Sequence, residues 1–377
     1  MALSLLINNY VSIWLGVMWS RMTHALFRKD MDMGTYHTGM YTMPLEARKL
    51  LYSQLISQSI QTFIVLGLPD VMDIEAYDVA TLAEKTNTHP AALLRLLRAL
   101  AQFGVVVSES GGQFTLTPLG QSMTNKVQAS VQPTALLING EMGQSWRGLT
   151  ETIRSGISGF ETQYNATLFD YFEANPERRA IFDRSQDMGL DLEVPELLEY
   201  LDIQDGATIV DIGGGSGHLL MHMLEKWPKS QGVLFDLPVA TEIAQQRLRE
   251  LGKMGCYEIV SGDFFKALPE NGSVYVLSHV LHDWSDEDCR KILATCRRSM
   301  PDNAVLIIID LIAGDEVHSS QNSVAAIMDL YMLSLFGVSG GRERSEEDFR
   351  TLSADAGFVV EKVMCLPSGN GIIYAYP

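Results

Sequence analysis

Cysteine is scarce in this 377-residue chain: Cys256, Cys289, Cys296 and Cys365 are the four, and none has a CxxC partner. That argues against a disulfide scaffold or a thiolate zinc site and fits reduced thiols in a cytosolic, cytoplasmic protein. Positive charge is scarce too. Lys plus Arg number 28 against 46 for Asp plus Glu, a formal charge of −18. Phosphate backbones repel so acidic a chain, which argues against nucleic acid as a partner. Long apolar runs are missing. The best candidate, residues 3–19, is interrupted by Asn8, Asn9 and Ser12 and falls short of the ~20 residues that span a bilayer. Its basic residues, Arg21, Arg28 and Lys29, follow it, whereas a secretory signal places them before. It reads as an extra amphipathic helix packed on the body or on a second subunit. The sharper alternative is a membrane-surface helix with Trp14 and Trp19 at the interface. There is no internal repeat and no low-complexity stretch. The length predicts two or three domains.

Residues 44–119 read as helices with one small hairpin. Leu50, Leu51, Leu55, Ile56, Ile60, Phe63 and Ile64 recur at helical spacing. A short helix is predicted over 79–85. A second, over 91–103, starts at Thr88-His89-Pro90 and stops at Gly104. Residues 105–108 and 113–117 flank a Gly111-Gly112 turn, a hairpin signal. Helix, turn, helix, hairpin is the pattern of a winged helix. A DNA-binding use needs a basic second helix and wing, and here the helix carries only Arg95 and Arg98 and the wing carries Glu109. The module reads as a packing and dimerisation platform. Residues 120–200 are helical with aromatic punctuation. From Thr208 onward, short apolar runs alternate with helical segments, the texture of a mostly parallel sheet covered on both faces. The chain closes with two strands expected to pair antiparallel at the edge.

Val210-Asp211-Ile212-Gly213-Gly214-Gly215-Ser216-Gly217-His218 follows the first of these strands. Glycines there let the backbone turn sharply and let a ligand approach main-chain atoms. Open α/β sheets bind ligands at the carboxyl ends of their strands. A glycine turn alone is weak evidence. Asp236 at the end of the second strand sharpens it, because a carboxylate can accept from both ribose hydroxyls. Asp263-Phe264 ends the third, where a carboxylate and an aromatic ring suit an adenine. The spacing Gly213-x-Gly215-x-Gly217 is tighter than the dinucleotide pattern, and no P-loop Lys-Ser/Thr is present. It fits S-adenosylmethionine better than a nicotinamide dinucleotide.

After the fourth strand comes Leu277-Ser278-His279-Val280-Leu281-His282-Asp283-Trp284-Ser285, where Ser285 with Asp288 three residues on is a capping-box-like start for the next helix. His282 thus falls on a strand-to-helix loop at the ligand edge, where a histidine can take a proton from a phenolic hydroxyl. Asp310, ending the fifth strand, or Glu343, in Gly340-Gly341-Arg342-Glu343-Arg344, can hold the imidazole tautomer. His279 reads equally as an acceptor contact or as packing.

With VDIGGGSGH, FDLP at 235–238, SGDFF at 261–265, VLHDWSDEDCRKIL from 280 and GGRERSEEDF from 340, the chain resembles the small-molecule S-adenosylmethionine-dependent O-methyltransferases. These include plant caffeic acid and flavonoid enzymes, hydroxyindole enzymes and microbial natural-product tailoring enzymes. The resemblance covers most of the chain from about residue 44. It implies a Rossmann-like class I methyltransferase domain with a mostly parallel seven-stranded sheet, preceded by an α-helical winged-helix-like dimerisation domain. It divides the chain into an N-terminal extension (1–43), a dimerisation domain (44–125), a helical linker and pocket region (126–200) and the methyltransferase domain (201–377). Asp211, Gly213, Gly215, Gly217, Asp236, Leu237, Asp263, Phe264, Ser278 and Trp284 are then the cofactor contacts. His282 is the general base, flanked by Asp310 and Glu343. A homodimer is implied, and no metal.

Plant members often carry a lysine where Ser278 stands, residues 330–339 are longer than in many relatives, and so is the N-terminal segment. Acceptor-pocket candidates by position are Trp146, Phe169, Phe182, Met188, His279, Met332 and Phe336. Singly, the aromatic and Met positions read at least as well as core. Together they suit a flat aromatic or polyketide acceptor. Two other readings stand beside this one: the same fold repurposed for non-methylating chemistry, which is marked by loss of the base, and a winged-helix regulator that senses the cofactor.

Overall fold

A 30-residue helix, Tyr36–Val65, opens the described part of the chain. The computed structural model describes residues 36–377 apart from 74, 251, 253, 254, 256 and 315–321; the expected N-terminal helix and Cys256 lie outside the described residues. The 43/44 division falls inside this first helix. Phe63 and Ile64, near its end, are buried, while Leu50, Leu51, Tyr52 and Leu55 face outward, 55–73% exposed. No described helix is long and apolar enough to cross a membrane.

The small domain then builds up from local signals. The Asp78 carboxylate caps the helix Val79–Lys85 by accepting from the Thr81 amide. Pro90 starts the helix Pro90–Gln102, and Gly104 at φ 72° ends it. The hairpin is present, with β2 (Val106–Ser108) and β3 (Gln113–Leu116) antiparallel about the Gly111-Gly112 turn. A third strand, β1 (Tyr77–Asp78), pairs with β3. At two residues, β1 carries no periodicity that a sequence could reveal. Leu82, Leu93, Leu97, Leu100, Val105 and Phe114 form this domain's core with Phe63.

A run of helices from Gln132 to Tyr200 leads to the large sheet. Its strands are β4 (Thr208–Ile212), β5 (Gln231–Asp236), β6 (Glu258–Ser261), β7 (Val274–Ser278), β8 (Val305–Leu311), β9 (Val359–Cys365) and β10 (Asn370–Tyr376). The order is β6-β5-β4-β7-β8-β10-β9. The pairings from β6 across to β8 are parallel, and β10 is antiparallel to both β8 and β9. The closing strands therefore pair as expected, but the last one inserts inside the edge and leaves β9 outermost. Burial follows this order: Asn370 to Ala375 are all buried, whereas Val359, at the start of β9, is 63% exposed. Two cores, one on each face, contain Val210, Ile212, Tyr275, Leu277, Ile308 and Ile292 on one side and Ile209, Val276, Ile307, Leu220, Met223 and Leu197 on the other.

The strand order reverses between β4 and β7, which places the switch point at Ile212 and Leu277, paired neighbours at the carboxyl ends. The helix Pro176–Tyr200 packs on the helix His218–Lys226 that follows the glycine turn, and so closes over this edge as a cap.

Candidate active site

The glycine turn is held from below. Gly213, Gly215 and Gly217 all have positive φ (69°, 55° and 76°). A Cβ at Gly214 would run into the Asp211 carboxylate and Leu234, so this backbone stays bare. Asp236 ties the turn to β5. Its Oδ2 accepts from the Gly215 amide (2.8 Å) and its Oδ1 from the Leu237 amide (2.6 Å). The Leu237 side chain is exposed at the rim. Asp263 accepts from the Phe265 amide (2.9 Å) and pairs with Lys266 (3.0 Å), and the Lys266 hydrogen bond leads in holding it below the usual carboxylate range. Phe264 lies beside the turn and meets Trp284 edge-on at 5.7 Å. The cofactor candidates Asp211, Gly213, Gly215, Gly217, Asp236, Asp263, Phe264, Ser278 and Trp284 thus gather along the carboxyl ends of β4 to β7 and the loops that follow them.

Two buried polar groups at the switch point have no protein partner. Both Asp211 carboxylate oxygens are orphaned, and so is the Ser278 hydroxyl. Burial pushes the Asp211 carboxyl up to about 7, with neighbouring Asp236 adding to it. A buried carboxylate and a hydroxyl without partners between two strand ends fit a polar, cationic ligand. That is the chemistry of S-adenosylmethionine, which carries a sulfonium and an amino group.

The chemical half lies on the far side of the switch point. His282 sits in a single 3-10 turn, Leu281–Asp283, between β7 and the helix Asp286–Ser299, which Ser285 caps. Arg344, fully buried, donates to the carbonyls of Leu281 (2.6 Å) and Trp284 (2.7 Å) and to Asp286, which fixes both ends of the turn. His282 Nδ1 lies 3.2 Å from Glu343 Oε1 and 3.8 Å from Asp310 Oδ1, and its Nε2 lies 3.7 Å from Asp283. Burial alone would lower the imidazolium; Asp283, Glu343 and Asp310 outweigh it and raise His282 to about 10. Asp310 is fully buried without a hydrogen bond, and burial lifts it to about 6 against the pull of His282 and His279. His279 Nε2 is engaged by Glu193 Oε2 of the cap helix (2.9 Å), and its Nδ1 faces Asp310 at 4.0 Å.

The acceptor candidates fall into two places. Met332 and Phe336 lie on the helix Asn322–Phe336, which packs against the 3-10 turn and whose Asp329 accepts from the Glu343 amide. Trp146 meets Tyr331 of that helix at 6.2 Å, and Phe169 meets Phe336 at 6.2 Å. Phe182 and Met188 are on the cap helix, and Phe182 packs on Phe172 at 4.7 Å within a core that also holds Phe160 and Leu137.

Several residues of the site carry no sequence signal. Asp187 of the cap helix accepts from Ser216 of the glycine turn (2.5 Å) and pairs with Arg247, which also bonds Ser216 (2.9 Å) and His218 (2.5 Å). Asp191, one turn on, binds the other nitrogen of His218 (2.8 Å). Arg179 pairs with Asp183 (2.6 Å) and faces Asp236. Only the i, i+4 spacing of Asp183, Asp187 and Asp191 shows in the sequence, and that spacing is equally that of a solvated helix face.

The comparisons agree with this geometry. Residues 146–359 match the O-methyltransferase domain family and residues 49–126 the O-methyltransferase dimerisation domain family. O-methyltransferase SfmM3 of Streptomyces lavendulae is 43% identical over 87% of this chain and 98% of its own length. O-demethylpuromycin-O-methyltransferase of Streptomyces alboniger is 36% identical over 84% of each. The crystal structure of LaPhzM superposes with a TM-score of 0.82 at 31% identity, covering 88% of this chain and 99% of that one. NcsB1, solved with S-adenosylmethionine and 2-hydroxy-5-methyl naphthoic acid, gives 0.72 at 27% identity over 85% of this chain and 95% of that one. With its glycine cradle, its orphaned Asp211 and its two matched domains, the chain belongs to the S-adenosylmethionine-dependent O-methyltransferases.

Proposed function

We propose that this enzyme methylates a phenolic hydroxyl of a small aromatic natural product, such as a phenol, a hydroxyindole or an aromatic polyketide, and that His282 is its general base. The observation that carries the base is the paired imidazole: Nδ1 is held by Glu343 and faces Asp310, which directs Nε2 away from them. The acceptor class rests on the aromatic lining carried by the helix Asn322–Phe336 beside that turn. Relatives named for phenolic acceptors, such as 3-amino-4-hydroxybenzoate 4-O-methyltransferase of Streptomyces cremeus (34% identical), support it.

Bound S-adenosylmethionine supplies an electrophilic methyl group on a positively charged sulfur. Asp236 retains lone pairs for ribose hydroxyls beyond the two amides it accepts, and Asp263 with Phe264 frames the adenine end. Asp211 and Ser278 offer their orphaned atoms to the cofactor's polar groups. His282 starts as a group that holds its proton tightly, and a nearby cation lowers that affinity. Once that proton is released to solvent, neutral His282 can take the acceptor's hydroxyl proton. Alignment contributes the rest.

The exposed stripe of Leu50, Leu51, Tyr52 and Leu55, within the matched dimerisation segment, supports a homodimer. Leu51→Glu combined with Leu55→Glu is expected to give monomers by light scattering. A cytoplasmic location fits the reduced cysteines.

The decisive assay uses labelled S-adenosylmethionine with a panel of phenols, hydroxyindoles and aromatic polyketides, and His282→Gln alongside. Transfer is expected to fall about 10²–10⁴-fold in the variant, with cofactor binding retained. Undiminished transfer would remove His282 as the base. Cofactor binding with no transfer across a broad panel would point to a repurposed fold.

A further inference from the structure

His279 is one of five non-glycine residues with positive φ among the described residues, at 52°. The backbone there resists a β-carbon, and a histidine in that conformation is held by its surroundings. Its amide donates to the Ile309 carbonyl of β8 (2.8 Å), one residue before Asp310. Its ring is pinned by Glu193 from the cap helix at 2.9 Å. Asn370 of β10 also favours the charged form of Glu193. Three elements, β7, β8 and the cap helix, converge on one imidazole that also lies 5.6 Å from the ring of His282.

Asp310 is the group between them. Its Oδ1 is 4.0 Å from His279 Nδ1 and 3.8 Å from His282 Nδ1, it is fully buried, and it has no hydrogen bond of its own. An uncompensated buried carboxylate beside a base draws the proton onto that base and keeps it there. A second cation sharing the carboxylate offsets that pull. We propose that His279, held by Glu193, is a positioning residue for His282: it shares Asp310 with the base and keeps the base able to take up and release a proton. The proposal rests on the reading of His282 as the base, but its test does not.

The groups facing His282 set the sign. Asp283 comes from its own turn, Asp310 from β8, Glu343 and Arg344 from the loop before the helix Glu346–Asp355, Asp329 from behind Glu343, Glu193 from the cap helix and His279 from the end of β7. Acidic groups dominate this set, and His279 and Arg344 are the cations in it. Glu193, next to His279, favours the charged imidazolium and overcomes the effect of burial there. Removing the His279 charge leaves Arg344 alone against the carboxylates, so His282 must bind its proton more tightly.

The test is a proton NMR titration of the histidine Cε1–H resonances in the purified, ligand-free protein, with His282 assigned by His282→Gln. His279→Asn, tolerated at positive φ, and His279→Gln remove the charge, and His279→Lys restores one. The His282 midpoint is expected to rise by about one pH unit in the Asn and Gln variants and to return toward wild type in the Lys variant. S-adenosylhomocysteine binding checks that each variant is folded, and the Gln and Lys pair suffices if Asn fails to fold. A midpoint that stays put or falls when the charge is removed overturns the proposal, as does an equal rise in the Lys variant. Because proton affinity is read directly, this result stands apart from the labelled-transfer result for His282→Gln.

Discussion

The two halves of this site are built in different ways. The cofactor half is a backbone object. Its turn spans a few residues, Gly213 to Gly217, and Asp236 holds it through main-chain amides. The chemical half is a side-chain object. His279, His282, Asp310, Glu343 and Glu193 come from segments spread between residues 193 and 343, and they touch ring to carboxylate. The first half is vulnerable to volume, because a β-carbon at Gly213, Gly214 or Gly217 runs into a neighbouring side chain. The second is vulnerable to charge, because Asp310 and Glu343 are buried, the other three are half-buried, and each lies next to another ionisable group.

The largest effect expected from that contrast is steric. Gly214→Ala places a methyl group against Asp211 and Leu234. It should weaken S-adenosylhomocysteine binding by about 100-fold in calorimetry, roughly 2.7 kcal/mol. Affinity within threefold of wild type would show that the turn is not the cofactor cradle.

A second prediction separates the halves by pH. Asp211 is raised to about 7 from an ordinary value near 3.8, so the folded state binds a proton more tightly than the unfolded one in that window. Its effect is that stability falls as pH rises from about 4 to about 7. His282 is raised from 6.5 to about 10, so its contribution is full below 6.5 and is lost as pH rises through 10. Melting temperatures of the ligand-free protein across pH 4 to 10 should therefore respond in different ranges. Asp211→Asn should flatten the acid side and raise the melting temperature by several degrees at pH 8, while weakening cofactor binding. His282→Gln should flatten the alkaline side. The same response from both variants would mean that the halves titrate as one cluster.

The smallest effect lies at the seam. Ser216 joins the glycine turn to Asp187 of the cap helix and to Arg247. Ser216→Ala removes one hydroxyl and should lower S-adenosylhomocysteine affinity about three- to tenfold, the scale of one hydrogen bond. A loss as large as that of Gly214→Ala would mean that the cap helix, rather than the turn, carries binding.

The same contrast explains which features are legible in the sequence. Strands β4, β5, β7 and β8 read as apolar runs because each is buried on both faces. The helix starts near 79, 90 and 286 are legible because the residues that set them, a proline in the first turn or a capping side chain, act within a few residues. The place of β10 is not. Its apolar pattern is that of any buried strand, and insertion between β8 and β9 is decided by packing partners far away in sequence. Glu193 is hidden for a similar reason. It is one acid among many on a polar helix, and only the docking of that helix brings it to His279.

By itself, then, the sequence determined the class of sheet, the glycine turn, the carboxylates at its strand ends and the histidine on the loop beyond. Each of these is written in residues close together along the chain, where backbone sterics and burial act locally. The tertiary structure alone decided which acids face His282, that His279 shares Asp310 with it, and that the cap helix is tied to the glycine turn through Asp187, Asp191, Ser216, His218 and Arg247. Those are electrostatic facts. They depend on distances of a few ångströms between groups far apart along the chain, and on burial that strips away the water that would otherwise screen them.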